Sequence, residues 1–412
     1  MKAYLLEHAW VDGRVQDTVR VEVEHGRITA VEPDAERTGV PLRGLTLPGF
    51  ANTHSHAFHR ALRGRTQADR GSFWTWREQM YAVAGRLDPD SYYELAKATY
   101  AEMVAAGYTA VGEFHYLHHQ PDGAPYGDPN AMGHALLAAA RDAGIRITLL
   151  DTLYLSSGFG AAPEGVQRRF SDGTAARWAE RAGDGPAAIH SVRAVPRDQL
   201  GAFRGRAPLH VHLSEQPREN EECLAAYGVT PARLLHEEGL LGPGTTVVHA
   251  THLTDDDIDL LGSTGTRVCV TPTTERDLAD GIGPARRLHD AGCPLTVGSD
   301  SHAVVDPFEE LRALELDQRL ATRRRGHWTA AELLAVGTAG RSIAVGQPAD
   351  LVTIDTASPR TAGTGADEHT AVFAATAADV RHVVVGGRVV HTAEDAGAVG
   401  RALDDAIGRT WT

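Results

Sequence analysis

The sequence has few cysteines, almost no lysine and no long hydrophobic run. Among its 412 residues there are three cysteines, Cys223, Cys269 and Cys293. Their odd number and wide spacing argue against a disulfide framework and against a cysteine zinc site. No apolar stretch approaches the ~20 residues that a membrane-spanning helix needs, and no signal-peptide core is present. These absences predict a cytoplasmic protein that does not bind membranes.

Positive charge is also scarce. The formal net charge is −14, which argues against nucleic acids and anionic membranes as partners. Lys2 and Lys97 are the only lysines, so nearly all the basic residues are arginines. Arginine side chains can still bind the carboxylates of a small molecule locally. The composition therefore favours a small-molecule partner.

The middle of the chain alternates β-like apolar runs with helical patterns. Such alternation is typical of βα units with a parallel sheet, and eight units predict a closed TIM-like (β/α)8 barrel. The eight runs cover residues 47–56, 108–115, 146–151, 187–192, 209–213, 245–249, 267–272 and 294–300. The predicted fold class is therefore α/β.

Both ends of the chain consist of short strand-and-turn patterns. Residues 1–46 and 345–412 could be two unrelated β segments, or together one small β-sandwich domain with a C-terminal tail. We favour the second interpretation. It leaves residues 47–344 as the barrel domain.

Histidines and acids cluster where the predicted strands end. His54 and His56 are one residue apart and therefore share a face of an extended strand. Barrel active sites lie at the C-terminal ends of strands. A lone histidine is more often structural, and an Asp after a strand is often a helix cap. Their joint occurrence predicts a metal site formed from His54, His56, Asp300 and either His210 or His212, with Glu215 and His249 beside it.

The predicted site suits one divalent ion. Three or four nitrogen and oxygen ligands with room for water favour catalytic Zn²⁺, and Fe²⁺ or Mn²⁺ are alternatives. Barrels with two metals commonly bridge them with a carboxylated lysine from a central strand. This chain has no lysine after Lys97, which lies in a predicted helix. A single metal is therefore expected.

These motifs resemble the amidohydrolase superfamily, and more narrowly its mononuclear deaminase branch. The resemblance rests on His54-x-His56, His212-x-x-Glu215, His249 and Asp300 together with the split β domain. It favours His212 over His210 as the ligand. The resemblance thus implies a metal held by His54, His56, His212 and Asp300.

Longer stretches are similar to the formimidoylglutamate deiminase family. They are His54-Ser-His-Ala-Phe, Ser72-Phe-Trp-Thr-Trp-Arg-Glu, Glu113-Phe-His-Tyr, His190-Ser-Val-Arg and Pro272-Thr-Thr-Glu-Arg-Asp. The resemblance implies a homodimeric enzyme of histidine breakdown. Its reaction would be the hydrolysis of N-formimidoyl-L-glutamate to N-formyl-L-glutamate and ammonia. One departure is His59, where the family usually has Gln.

Roles for individual residues follow from this resemblance. Glu215, His249 and Asp300 are the expected catalytic residues, and the division of proton transfers among them stays open. The expected substrate-binding residues, which would hold carboxylates or line the site, are Arg77, Tyr116, His190, Arg193 and His59. A deaminase of a purine, pyrimidine or triazine ring is the main alternative. A non-catalytic barrel is the other.

Overall fold

A computed structural model describes residues 2–36, 38–67 and 73–412. Its strands form two sheets, one of eight strands and one of seven. The strands, in chain order, are β1 (Lys2–Val11), β2 (Arg14–Glu24), β3 (Arg27–Glu32), β4 (Val40–Pro48), β5 (Phe50–Ser55), β6 (Tyr108–His115), β7 (Arg146–Leu153), β8 (Ala187–Ser191), β9 (Leu209–Leu213), β10 (Thr245–His249), β11 (Arg267–Val270), β12 (Leu295–Val297), β13 (Leu351–Ile354), β14 (Val380–Val385) and β15 (Arg388–Thr392).

Helices separate most of the strands. They are α1 (Phe73–Arg86), α2 (Pro89–Ala105), α3 (Ala131–Ala143), α4 (Ala175–Ala182), α5 (Pro217–Tyr227), α6 (Pro231–Glu237), α7 (Asp255–Ser263), α8 (Pro272–Asp277), α9 (Ala285–Asp290), α10 (Pro307–Thr322), α11 (Ala330–Gly337), α12 (Glu368–Phe373) and α13 (Ala396–Trp411). Local sequence sets many of their ends. At the start of α2, for example, Asp88 and Ser91 form a capping box around Pro89.

The eight-stranded sheet is a parallel barrel, as the sequence predicts. Strands β5 to β12 pair in chain order. The first and last meet through a bridge between Ser55 and Asp300, where the Asp300 N–H donates to the His54 carbonyl at 3.0 Å. Strands β9 and β10 are buried along their whole length, as expected for a sheet covered by helices. Closure brings the ends of all eight strands around one opening.

The seven-stranded sheet unites the two chain ends into a β-sandwich. Its order is β15-β14-β13-β4-β1-β2-β3. The sheet folds over on itself, because the Ile28 N–H in β3 donates to Gln347 just before β13, although three strands separate β3 from β13. Tyr4, Val21, Leu351 and other side chains fill a separate small core. The domain boundaries themselves stay predictions.

Helix α13 was not predicted from the sequence. It packs on the barrel, where the Trp411 indole N–H donates to the Ala61 carbonyl at 2.8 Å and Arg86 donates to the Trp411 carbonyl at 2.9 Å. No helix within 2–36, 38–67 or 73–412 is long and apolar enough to cross a bilayer.

Candidate metal centre and active site

Four buried side chains meet at the C-terminal end of the barrel. His54, His56, His212 and Asp300 each offer one ligand atom, and all four atoms lie within 4.8 Å of one another. The Asp300 Oδ1 atom is 3.2 Å from His54 Nε2 and 3.3 Å from His56 Nε2. The Nε2 atoms of His54 and His212 are 3.1 Å apart. Tetrahedral ligands at a Zn–N distance of ~2.0–2.1 Å would be ~3.3 Å apart, so the donor set fits such an ion.

Backbone carbonyls fix two of the imidazoles in the orientation that a metal needs. The His56 Nδ1–H donates to the Phe114 carbonyl at 2.9 Å, and the His212 Nδ1–H donates to the His190 carbonyl at 2.8 Å. Each ring therefore carries its proton on Nδ1 and presents an Nε2 lone pair to the centre. This arrangement is common behind metal-bound histidines.

Burial and neighbouring charges adjust the protonation of the cluster. Burial lowers the pKa values of His54, His56 and His212, which favours neutral imidazoles that can bind a cation. Burial alone would raise the pKa of Asp300, but the hydrogen bond with His54 and the charge of the His249 imidazolium hold it below its usual range. Asp300 is therefore an anion next to three neutral imidazoles.

Asp300 also has a strained backbone. Its φ of +36° lies in the left-handed region, which a non-glycine residue rarely adopts. His249, another strand-end residue, has a φ of +70°. Such strain is concentrated at functional sites and persists only where surrounding contacts enforce it.

His249 and Glu215 lie beside the four-residue cluster. The His249 Nε2 atom is 3.8 Å from Glu215 Oε1 and 3.9 Å from Asp300 Oδ2. On the other side of the ring, Nδ1 lies 3.1 Å from the Thr271 hydroxyl and 3.7 Å from Glu275. Although burial lowers the pKa of His249, the charges of Glu215, Asp300 and Glu275 together raise it to about 10. The surrounding carboxylates thus favour an imidazolium.

A cavity of about 80 Å³ opens directly onto these groups. All five residues expected to bind substrate line it, together with an aromatic wall that the sequence analysis missed. The lining includes His59, Arg77, Tyr116, His190, Arg193, Trp76, Tyr154 and Phe170. The wall residues are far apart in sequence, and an aromatic residue gives no sign by itself that it faces a cavity.

Three of the expected residues form the floor of this cavity. The His59 Nε2 atom lies 3.1 Å from the Tyr116 hydroxyl, and the His59 ring packs edge-on against Trp76 at 5.2 Å. Tyr116 and His190 also pack edge-on, with ring centroids 5.5 Å apart. His59 thus occupies a position from which it can contact a bound molecule.

Arg77 and Arg193 lie at the neck of the cavity. Both also line an outer cleft of about 940 Å³, as does Glu215, so the neck joins the two spaces. The Arg77 Nε–H donates to the Tyr81 hydroxyl at 2.6 Å. Arg193 is half-buried and has no ion-pair partner within the described part of the chain. An unpaired guanidinium at a cavity neck favours an anionic ligand.

The location of Arg77 corrects one expectation. From the sequence Arg77 is expected in a long loop after the first barrel strand, whereas in the structure it lies inside helix α1. Ser72, which begins the family-like stretch containing Arg77, lies outside the described residues. A helical Arg77 is held more firmly than a loop residue would be.

Glu113 supports the four-residue cluster from behind, and this role was not predicted from the sequence. Glu113 accepts from the Ser55 hydroxyl at 2.8 Å and from the Ala57 N–H at 2.7 Å, which anchors the segment carrying His54 and His56. Burial raises the pKa of Glu113 to about 8. One feature of the sequence could have indicated this role: Glu113 lies in a family-like stretch at the end of a strand.

The two histidines of β9 take different positions. His212 belongs to the four-residue cluster, whereas His210 lines a cavity at the opposite end of the barrel. A separate group formed by Glu215, His249 and Asp280 also has ligand atoms within 4.8 Å of one another. Burial and the charge of Glu215 raise the pKa of Asp280 to about 8.

Comparisons with known proteins agree with this architecture. The model of the amidohydrolase family matches residues 45–390. The chain is 37% identical to formimidoylglutamate deiminase of Pseudomonas aeruginosa, with 99% of each chain covered. It is 31% identical to the 5-methylthioadenosine/S-adenosylhomocysteine deaminase of Syntrophobacter fumaroxidans, covering 92% of this chain and 89% of that protein.

A solved structure gives the same result. The crystal structure of an amidohydrolase from Brucella melitensis superposes with a TM-score of 0.90 at 31% identity, and the match covers 100% of both chains. The resemblance inferred from the motifs is confirmed. The chain belongs to the amidohydrolase family and is a hydrolase that acts on carbon–nitrogen bonds.

Proposed function

We propose that the protein hydrolyses N-formimidoyl-L-glutamate to N-formyl-L-glutamate and ammonia in histidine degradation. The observation that carries the proposal is the pair Arg77 and Arg193 at the neck of a cavity that ends at the four-residue cluster. A substrate with two carboxylates and a terminal amidine could place its carboxylates at the arginines and its amidine at the cluster. The 37% identity to formimidoylglutamate deiminase supports the same assignment.

His54, His56, His212 and Asp300 would hold one divalent ion, and we propose zinc. Three imidazoles and one carboxylate suit zinc, with Fe²⁺ and Mn²⁺ as alternatives. When bound, the metal lowers the pKa of water to about 7 and so makes hydroxide available at neutral pH. The chain has no lysine after Lys97, and so none on a central barrel strand that could bridge two ions, which supports a single ion rather than two.

The remaining residues orient the substrate. Arg77 and Arg193 meet carboxylates with paired hydrogen bonds, which fixes the long axis of the molecule. Tyr116, His190 and His59 line the inner cavity, where they can contact the substrate between its carboxylates and its amidine. The amidine carbon then lies next to Glu215 and the four-residue cluster.

Proton transfer falls to the groups around the cluster. The reaction adds water across the amidine C=N bond and then breaks a C–N bond, so one oxygen enters and one ammonia leaves. Asp300 and Glu215 are placed to accept the water protons, and Glu215 can deliver a proton to the departing nitrogen. The His249 imidazolium, favoured by its carboxylate neighbours, can stabilise negative charge that develops on oxygen.

A ring deaminase is the second candidate, because one relative is a 5-methylthioadenosine/S-adenosylhomocysteine deaminase. The aromatic wall of Trp76, Tyr154 and Phe170 could stack on a flat ring. A neutral ring, however, leaves the Arg193 guanidinium without a carboxylate partner. A site built around charged partners rejects ligands that lack them.

Ammonia release from purified, zinc-loaded protein separates the candidates. We expect turnover of N-formimidoyl-L-glutamate with formation of N-formyl-L-glutamate, identified by proton NMR. The comparison panel is 5-methylthioadenosine, guanine, cytosine and a formimidoyl amine without carboxylates. Faster turnover of any ring compound would overturn the substrate assignment and leave the hydrolase in place.

Two further expectations belong to this proposal. We infer a homodimer and a cytoplasmic location, both of which rest on resemblance and sequence composition. Sedimentation of the native protein tests the first, and a clean monomer would contradict it.

A further inference from the structure

The opposite, N-terminal end of the barrel contains a second cavity of about 570 Å³. The beginnings of the strands form its walls, and residues from β5, β6, β7, β9, β10 and β11 contribute. Several polar side chains line it, including Thr53, Thr148 and Thr246. The proposed reaction uses none of these residues.

The side chains of this cavity are positively charged or neutral. Arg267 and Arg341 line it, together with His210. No Asp or Glu is among the described residues that line it, although the chain as a whole has 54 acidic residues and a net charge of −14. A cavity without carboxylates in so acidic a protein attracts anions locally.

Its hydrogen-bond donors have spare capacity. The nearest carboxylate to Arg341 is Asp350, 4.0 Å from Nη1, and Asp350 is already bound by Arg146 at 2.8 and 3.1 Å. The Arg341 Nη1 atom is buried and lacks a hydrogen-bond partner among the described residues. Within the same residues, Arg267 has neither an ion pair nor a side-chain hydrogen bond.

His210 adds a buried polar group at the inner end of the cavity. Its side chain is more than nine-tenths buried, and its Nδ1 atom has no partner in the described part of the chain. Thr53 closes off the barrel interior beyond it, because its hydroxyl bonds to Thr296 at 2.8 Å and to the Val297 carbonyl at 3.0 Å. The cavity is therefore separate from the metal cluster.

We propose that this N-terminal cavity is a binding site for a small oxyanion, held by Arg267, Arg341 and His210. The two guanidinium groups supply charge and paired donors, which phosphate and carboxylate groups both accept. Threonine hydroxyls lining the cavity can serve the remaining oxygens. The site goes beyond the proposed reaction and does not depend on it.

Calorimetric titration of the metal-loaded protein with inorganic phosphate tests the site. We expect saturable binding of one phosphate per chain. Arg267→Gln should weaken it by about tenfold or more, since hydrogen bonds to charged groups are the strong ones. Arg341→Gln should do the same. Both variants should keep the melting temperature and circular dichroism spectrum of the unchanged protein, which shows that they fold.

Two controls separate this site from the active site and from general charge effects. Arg193→Gln removes a cation from the catalytic cavity, and Arg324→Gln removes one from an exposed position. Both should keep the Arg267-dependent phosphate binding, although Arg193→Gln removes any anion held at the catalytic neck. A parallel titration with succinate shows whether carboxylates bind at the same place, and dependence on Arg267 for either anion supports the proposal.

The results that overturn the proposal are equally definite. They are the absence of saturable binding of both anions, binding that Arg193→Gln abolishes and Arg267→Gln leaves intact, and equal weakening by Arg324→Gln. None of these results would bear on turnover of N-formimidoyl-L-glutamate. The two proposals can therefore fail separately.

Discussion

The four-residue cluster and the neck of the cavity differ in how their side chains are held. Backbone carbonyls of neighbouring strands hold the rings of His56 and His212. At the neck, Arg77 bonds to the Tyr81 side chain one helical turn away, and Arg193 lies outside any barrel strand. The cluster is thus part of the sheet, whereas the neck depends on side chains from helices and loops.

Within one cavity, metal binding would therefore depend on the sheet, and substrate choice on the neck. Side chains fixed by the sheet keep their geometry when the surrounding loops change. A neck made of helix and loop residues can change without disturbing the sheet, since loops tolerate variation that scaffolds do not. Metal binding and substrate choice should therefore respond to different substitutions.

Loss of a ligand should have the largest effect. In His54→Ala or Asp300→Ala we expect bound metal to fall from about one per chain towards zero. Ammonia release should fall on the order of 10³-fold or more, because the metal contributes several kcal/mol. Elemental analysis and turnover measure both. His236→Ala, at an exposed histidine, is the matched control. Full metal content and activity in both ligand variants would exclude these residues as ligands.

Glu215→Gln should separate chemistry from metal binding. The change keeps the shape of the side chain and removes its proton-exchanging group, so kcat should fall on the order of 10²–10⁴-fold. Metal content should not change. Glu180→Gln, at an exposed glutamate, provides the control. A Glu215→Gln protein with near-normal kcat would remove Glu215 from the proton transfers.

Arg193→Met should affect the neck alone. We expect kcat/KM for N-formimidoyl-L-glutamate to fall on the order of 10²-fold through loss of a paired, charged contact. Metal content should stay the same, as it should in the control Arg324→Met. Turnover of a formimidoyl amine without carboxylates should change little. An equal loss for both substrates would show that Arg193 does not bind a carboxylate.

Ser55→Ala tests the support behind the cluster. It removes the hydroxyl that donates to Glu113 at 2.8 Å. Loss of such outer contacts costs about 10–100-fold in metal affinity, and we expect the lower end of that range. Competition with a chelator measures the affinity, and Ser263→Ala at an exposed serine is the control. A KM change in the fully metal-loaded variant would argue against a role limited to the metal.

Tyr81→Phe tests the support behind the neck and should have the smallest effect. It removes the hydroxyl that accepts from Arg77 at 2.6 Å. Loss of one such hydrogen bond should raise KM for the diacid by about 2- to 12-fold. Chelator competition should give the same metal affinity as the unchanged protein. A weaker metal affinity would show that the neck and cluster are coupled.

The barrel and the cluster could be predicted because local sequence determines them. Strand periodicity identified all eight barrel strands, and the ends of parallel strands must lie at one end of a barrel. That rule alone brings together His54, His56 and Asp300. For strand β9 it leaves two candidates, His210 and His212. In the structure His212 lies in the four-residue cluster and His210 lines the cavity at the opposite end of the barrel.

Features that depend on tertiary contacts could not be predicted. Helix α13 contains Gly397, Gly400 and Gly408, which lower its intrinsic helix propensity, and contacts with the barrel through Trp411 stabilise it. The aromatic wall and the network around Glu113 join residues far apart in the chain. Arg77 was assigned to a loop because its segment carries no clear helical period.

The ratio of kcat/KM for N-formimidoyl-L-glutamate to that for its diamide tests the central claim most directly. Both molecules present the same amidine to the metal cluster, and they differ only in the charges that Arg77 and Arg193 would meet. We predict a ratio on the order of 10⁴ in favour of the diacid, since the diamide lacks two charged contacts that each contribute on the order of 10²-fold. A ratio near one would contradict it.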